Sequence, residues 1–153
     1  MTLDLRGLML AVIAAVLPFA AQAGDEPKKG YTDDDIVKML SDGGFRAIDK
    51  TEDNVLKVHI DGLAYALYVY DDGDLQLYFG MTGYSVTPED MNEWNRTRRL
   101  SRAYIDDVQD PVLEADLLAN AGYTPQQLIE WVSVFDMSAR DFRSYLNEHD
   151  RGD

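Results

Sequence analysis

The chain predicts an α+β domain in which three helices accompany an antiparallel sheet of about six strands. Three observations carry this prediction. Thr32, Thr87 and Thr124 each stand before an acid- or proline-led stretch, the pattern that opens a helix. Between those starts, short segments such as Val55 to Ile60 alternate apolar and polar residues as half-buried strands do. The resulting order is helix, four strands, helix, two strands, helix, which suits segregated layers rather than alternating parallel units. The 153 residues, 46% of them hydrophobic, suffice for one domain burying about two thirds of its unfolded surface.

In chain order, the first 23 residues read as a secretory signal peptide. Arg6 lies in a short polar start, an apolar run follows from Leu8 to Ala20, and Ala-Gln-Ala ends at Ala23. A membrane span needs about 20 apolar residues, and this run is shorter, with Pro18 near its end. The expectation is cleavage after Ala23, a periplasmic protein, and no membrane association afterwards. Gly24 to Gly30 lacks apolar periodicity and is expected to be a mobile leading segment. A single domain then occupies residues 31–148, with a tail at 149–153.

Thr32 precedes three aspartates that favour the positive end of a helix dipole, so a helix is expected to about Ser41, ended by Gly43-Gly44. Phe45 to Asp49 is expected as a short strand. Asp61-Gly62 is a hairpin turn signal after Val55 to Ile60. The returning Leu63 to Tyr70 is apolar on both faces and is placed centrally. Asp71 to Asp74 turns the chain into Leu75 to Gly80.

Thr87-Pro88-Glu89-Asp90 opens a second helix reaching about Arg96, with Met91, Trp94 and Asn95 on one face and Trp94 as its anchor. Asn92 and Asn95 form helices poorly, which predicts that their side chains bond nearby backbone. Leu100 to Ile105 and Val112 to Leu118 form a hairpin. Alternation sends Ala103, Ile105, Leu113, Ala115 and Leu117 toward the core and Arg102, Tyr104, Glu114 and Asp116 to the other face. Thr124 to Gln127 is a capping box for the last helix, whose stripe runs from Leu128 through Trp131, Val132, Phe135, Ala139 and Phe142 to Leu146. Ser138 with Asp141 reads as a second box, predicting a break near Met137.

Charge and composition exclude several functions. The formal charge is −14, and removing residues 1–23 takes away one arginine and one acid and leaves it there. Nucleic-acid binding rests on excess Lys and Arg, so this balance argues against it. No cysteine is present, which removes disulfides, thiolate metal sites and cysteine nucleophiles together. His59 on a polar strand face and His149 near the chain end read as solvated, and no G-x-S-x-G elbow supports a triad. Asp71, Asp72 and Asp74 lack the calcium-loop spacing and read as a turn, so no metal or cofactor is expected. Arg151-Gly152-Asp153 reads as a chance tail.

The one positive cluster lies in NEWNRTRRLSRAYIDDVQDPVLEAD, Asn92 to Asp116, with Arg96, Arg98, Arg99 and Arg102 in seven positions. This run resembles the signature of the YbjN family, described as bacterial sensory transduction regulators of undefined biochemical activity. The resemblance extends from Tyr31 to Leu146 through LQLYFGM at Leu75 to Met81 and GYTPQQLIEWVSVF at Gly122 to Phe135. It implies a fold similar to type III secretion chaperones and a non-catalytic, chaperone-like or regulatory module that holds a protein or peptide partner. Related sequences often carry cysteines before the LQLYFGM-like strand, where this chain reads VYDDGDLQL, so no redox role carries over. The resembled chaperones commonly dimerise through their middle helix and adjoining strands, which implies a homodimer around Met91 to Leu100, opposed by the −14 charge.

Two readings of the cluster stand side by side. The arginines pair with Glu93, Glu114 and Asp116, which makes Asn92, Asn95, Arg102, Tyr104, Glu114 and Asp116 a structural signature. Alternatively Arg98 or Arg99, with Trp94 and Arg96 nearby, faces outward as a partner-binding surface. A small periplasmic hydrolase or ligand sensor using the arginine and carboxylate face is the alternative function, since paired carboxylates can cleave glycosidic bonds. An open apolar groove would favour the binding module, and an enclosed polar pocket the enzyme.

Overall fold

The computed structural model describes residues 26–152. The expected signal peptide and the cleavage position at Ala23 lie outside them. The elements run α1 (Asp33–Asp42), β1 (Ala47–Glu52), β2 (Val55–Ile60), β3 (Leu63–Val69), β4 (Leu75–Gly80), α2 (Pro88–Thr97), β5 (Arg102–Ile105), β6 (Pro111–Leu117) and α3 (Pro125–His149). The strands form one sheet in the order β1-β2-β3-β4-β6-β5, antiparallel at every step. This is the expected α+β architecture of three helices and six strands.

All three helices start with reciprocal capping boxes, Thr32 with Asp35, Thr87 with Asp90 and Thr124 with Gln127. In each, the threonine hydroxyl accepts a backbone N–H that the first turn leaves unpaired, while the third residue returns the favour. The helices pack on one sheet face. There Leu56, Tyr65, Leu67, Leu77 and Leu113 share a single core with Ile36, Leu40, Trp94, Val132, Phe135 and Phe142. Tyr65 also donates to Asp136 at 2.6 Å, fixing α3 over β3, and burial, then this bond, push its hydroxyl well above the usual tyrosine range.

Several expectations are corrected. The strand expected at Phe45 begins at Ala47, because the Phe45 N–H still bonds the Leu40 carbonyl and belongs to the close of α1. That close is tight: a Cβ on Gly43 would sit 2.6 Å from the Ile129 side chain. β3 is central, but Ala64 is exposed and Ala66 and Tyr68 half-buried, since helices cover one face alone. The break expected near Met137 is absent and α3 is continuous. The Ser138 hydroxyl lies 2.8 Å from that of Ser101 and Asp141 accepts from Arg98, so tertiary partners take both would-be capping groups.

Both ends are tied down further than expected. Lys28 exchanges backbone bonds of 3.1 and 3.2 Å with Tyr123, so the leading segment is docked from there on. At the other end His149 is helical and stacks on Tyr145 at 3.9 Å. Arg151 donates to Asp90 at 2.6 Å, which closes the expected tail onto the first turn of α2.

Candidate functional site

The junction from α2 into β5 holds most of the residues singled out in the sequence. Trp94 is fully buried, edge-on to Phe142 and Tyr145 with centroids 5.0 and 5.5 Å away. It is therefore the anchor of α2 and cannot touch a partner, which corrects its place in a binding surface. Its Nε1 donates to the Ser101 hydroxyl at 3.4 Å, and Ser101 meets Ser138, so α2, the lead into β5 and α3 are linked in one chain.

Asn95 behaves as expected. Its Nδ2 donates to the Ala103 carbonyl at 2.9 Å and its Oδ1 accepts the Ala103 N–H at 2.8 Å, as a neighbouring strand would. Asn92 does not: it is exposed and makes no side-chain hydrogen bond to a described residue.

Three of the four arginines are engaged. Arg96 pairs with Glu93 and Arg102 with Glu114. Arg98, which the outward reading singled out, donates from Nε to Asp141 at 2.7 Å and lies 5.3 Å over the Trp94 ring. Its distance from Asp141 in sequence hid that partner. Arg99 is exposed and has no ion pair with a described residue.

Glu114 was expected on the open face, yet it is buried. One carboxylate oxygen accepts from Arg102 and the other from Tyr104 at 2.6 Å, so both are occupied by the side chains that cover them. Burial, then this bond, raise the Tyr104 hydroxyl well above its ordinary value. Asp116 accepts from Gln76 at 2.9 Å instead of pairing with arginine. A carboxylate locked by two donors is poorly placed to receive a proton from water or substrate. Among the described residues no group of acids and histidines is arranged to hold a metal.

Beside this network runs an open groove of about 600 Å³ between α3 and the β5–β6 end of the sheet. Its apolar wall includes Leu100, Leu118, Trp131 and Val134, and its acids are Glu114, Asp116 and Glu130. Leu100 and Leu118 are 68% and 65% exposed, among the most exposed large apolar side chains described. The Trp131 Nε1 is shielded from solvent without an acceptor. The sequence reading missed this groove, although adjacent Leu117 and Leu118 were a signal: neighbours on a strand cannot both face one core.

Three helices on one face of a six-stranded antiparallel sheet make an α+β fold like that of type III secretion chaperones. The Yersinia pestis type III secretion chaperone SycH, solved in complex with a stable fragment of YscM2, superposes with a TM-score of 0.52 over 69% of this chain and 94% of that one, at 15% identity. That likeness shows the fold. The chain itself belongs to the YbjN family, described as "Putative bacterial sensory transduction regulator", which it matches over residues 32–148. No curated protein matches it.

Proposed function

We propose that this protein is an exported, non-catalytic binding module that holds a segment of a protein partner in the groove between α3 and the β5–β6 end of the sheet, in a regulatory role. The observation that carries the reading is the groove's form, open and walled by exposed leucines beside Trp131. Exposed apolar surface gathered in one concave strip marks an interaction site. The family description and a fold relative solved with a bound protein fragment support it. The run from Leu8 to Ala20 before Ala-Gln-Ala supports export to the periplasm.

The single chain is the binding unit in this reading. The outer face of α2 carries Asn92, Asn95 and Arg96, while Met91 and Trp94 are buried, which offers little apolar surface to a second copy. A sedimentation experiment showing a monomer at high concentration agrees with this, and a tight dimer contradicts it.

The test is site-specific photo-crosslinking in the native cell. A photoreactive residue replacing Leu118 should capture a protein, and one replacing the exposed Thr51 on β1 should not. Equal labelling at both positions, or none at Leu118, overturns the reading. Intact mass of the exported protein should begin at Gly24.

A further inference from the structure

We propose that the groove binds its partner as an added β-strand, an extended peptide of alternating apolar and cationic residues that continues the line of β5 and pairs with the backbone of Asp116. This rests on the groove reading above and adds the geometry and chemistry of the occupant.

Backbone parity carries the first step. In a strand, the N–H and C=O of one residue point to the same side and those of the next point oppositely. The Met81 N–H bonds the Pro111 carbonyl at 3.0 Å, so the odd-numbered residues of β6 face β4. The Asp106 N–H bonds the Asp110 carbonyl at 3.0 Å, which independently sets the even-numbered residues toward β5. Val112 and Glu114 lie opposite Tyr104 and Arg102, the last pair in the β5–β6 register. Asp116 continues in register with β4 on its other side, yet among the described residues no strand lies opposite its outward N–H and C=O.

The residue that would stand there is Leu100. Its φ is +68°, a left-handed conformation that an extended strand cannot contain, so the chain turns aside and joins the sheet only at Arg102. Leucine takes this conformation at a cost, and such strain gathers where structure serves function. The contrast with β5 is direct. Ala103 also points its backbone away from β6, and there the fold supplies the Asn95 amide as a substitute strand. Among the described residues Asp116 receives no such cap.

The side chains around the open edge select the occupant. A strand laid beside Asp116 would send alternate side chains toward Leu118, Trp131 and Val134 and the others toward the opposite face of the sheet, where Asp116 projects. Arg102 pairs with Glu114, but among the described residues Asp116 and Glu130 bond to the neutral amides of Gln76 and Gln126 and make no ion pair. Two acids without an ion pair among the described residues, on the rim of a chain of charge −14, favour a cationic segment. In strand addition, main-chain bonds supply affinity and alternate side chains specificity.

The probe is a short synthetic peptide alternating valine and lysine. It should bind the mature protein, protect the Asp116 N–H from hydrogen exchange and lose affinity with added salt. A version N-methylated at alternate positions should bind about tenfold or more weakly, as expected from lost main-chain bonds. A valine–glutamate peptide should not bind. Asp116→Pro removes an N–H that the β4 ladder does not use and should abolish binding; Glu130→Gln should weaken it. If Asp116→Pro fails to fold, the N-methylated peptide on the unaltered protein decides the matter. Equal binding of the methylated peptide, or an Asp116 amide left unprotected, overturns the proposal. Protection already present without peptide also overturns it, since a second copy or the chain's own leading segment would then hold the edge. Leu118 crosslinks to a cellular protein alongside a failed strand test leave the groove reading standing, whereas absence of both removes the two together.

Discussion

At one margin of the sheet β1 shows solvent a row of charges; at the other, β5 is four residues long and stops short of its partner. On β1 the side chains of Asp49, Lys50 and Glu52 are exposed, and the register shifts between Lys50 and Glu52. Charge and a bulge are the devices by which natural sheets refuse further strands. The β5 margin is guarded differently, by the Asn95 amide over Ala103, and then left bare at Asp116 beside the apolar groove. The two margins differ in what guards their backbone edge. β1 is protected by its own residues, while the β5 side depends on α2, so any change that loosens α2 should alter that margin and leave the other unchanged.

The strongest way to break the contrast is Trp94→Ala. Removing a fully buried indole from between Phe142 and Tyr145 should cost about 3 to 5 kcal/mol. Thr51→Ala on β1 should stay within about 0.5 kcal/mol. Denaturant midpoints measure both, and similar losses would mean that α2 is no more important than the β1 margin. Next is Asn95→Ala, which orphans the N–H and C=O of the buried Ala103 and should cost about 2 to 3 kcal/mol. It should also bare a second open edge, so concentration-dependent self-association should rise in light scattering. A variant that loses stability without associating would show that Asn95 serves only to hold the α2 exit.

What the sequence disclosed, and what it hid, follows the same geography. The three helix starts were legible because a capping box closes over three residues of local chain. The alternation of Leu56 and Val58 in β2 was legible because burial on one face imposes a period of two. The unbroken α3 was not, because Ser138 and Asp141 have the grammar of a helix start and their actual partners, Ser101 and Arg98, lie far away in the chain. Arg151 on Asp90 is concealed for the same reason. Glu114 looked like a surface acid by alternation, and only the fold brings Arg102 and Tyr104 over it. The groove depends on where β5 begins, which the backbone of Leu100 decides and no residue pattern announces.

The two margins also differ in the strength of their ion pairs. Lys50 on the β1 side pairs with the exposed Asp34 and, at 3.4 Å, with the largely buried Asp33, and is itself half exposed, so Lys50→Met should lower the denaturant midpoint only slightly. Asp90 at the start of α2 is buried, and the Arg151 guanidinium, with the Thr87 bonds, holds its carboxyl well below the ordinary 3.8 despite burial. A depressed native pKa gives stability that is fully present above the unfolded value and is lost as pH falls through the native one. Asp90→Asn should therefore cost about 1 to 2 kcal/mol at neutral pH. The gap should hold down to about pH 5 and close in stronger acid. Thermal melts across pH test this, and a gap that widens on acidification would place the stabilising charge elsewhere.

A change of opposite sign is expected at Leu100, and it separates strain from packing at the open margin. Asn54, Asp61 and Gln109 also have positive φ. All three are polar residues in turns, where Asn and Asp tolerate the left-handed region. Leu100 is apolar and 68% exposed, so burial does not offset its backbone strain. Leu100→Gly removes a steric penalty of about 1 to 2 kcal/mol. It also gives the unfolded chain more freedom, which returns roughly 0.5 to 1 kcal/mol. The net should be a stability unchanged or raised by up to about 1.5 kcal/mol, read from the denaturant midpoint, the opposite of what deleting a leucine from a core does. The valine–lysine peptide should bind this variant less well, because a glycine no longer holds the chain away from Asp116 and takes one apolar side chain from the groove wall. A loss of stability above about 1 kcal/mol would make Leu100 a packing residue. The β5 margin would then be closed by ordinary burial, and its difference from β1 would reduce to length alone.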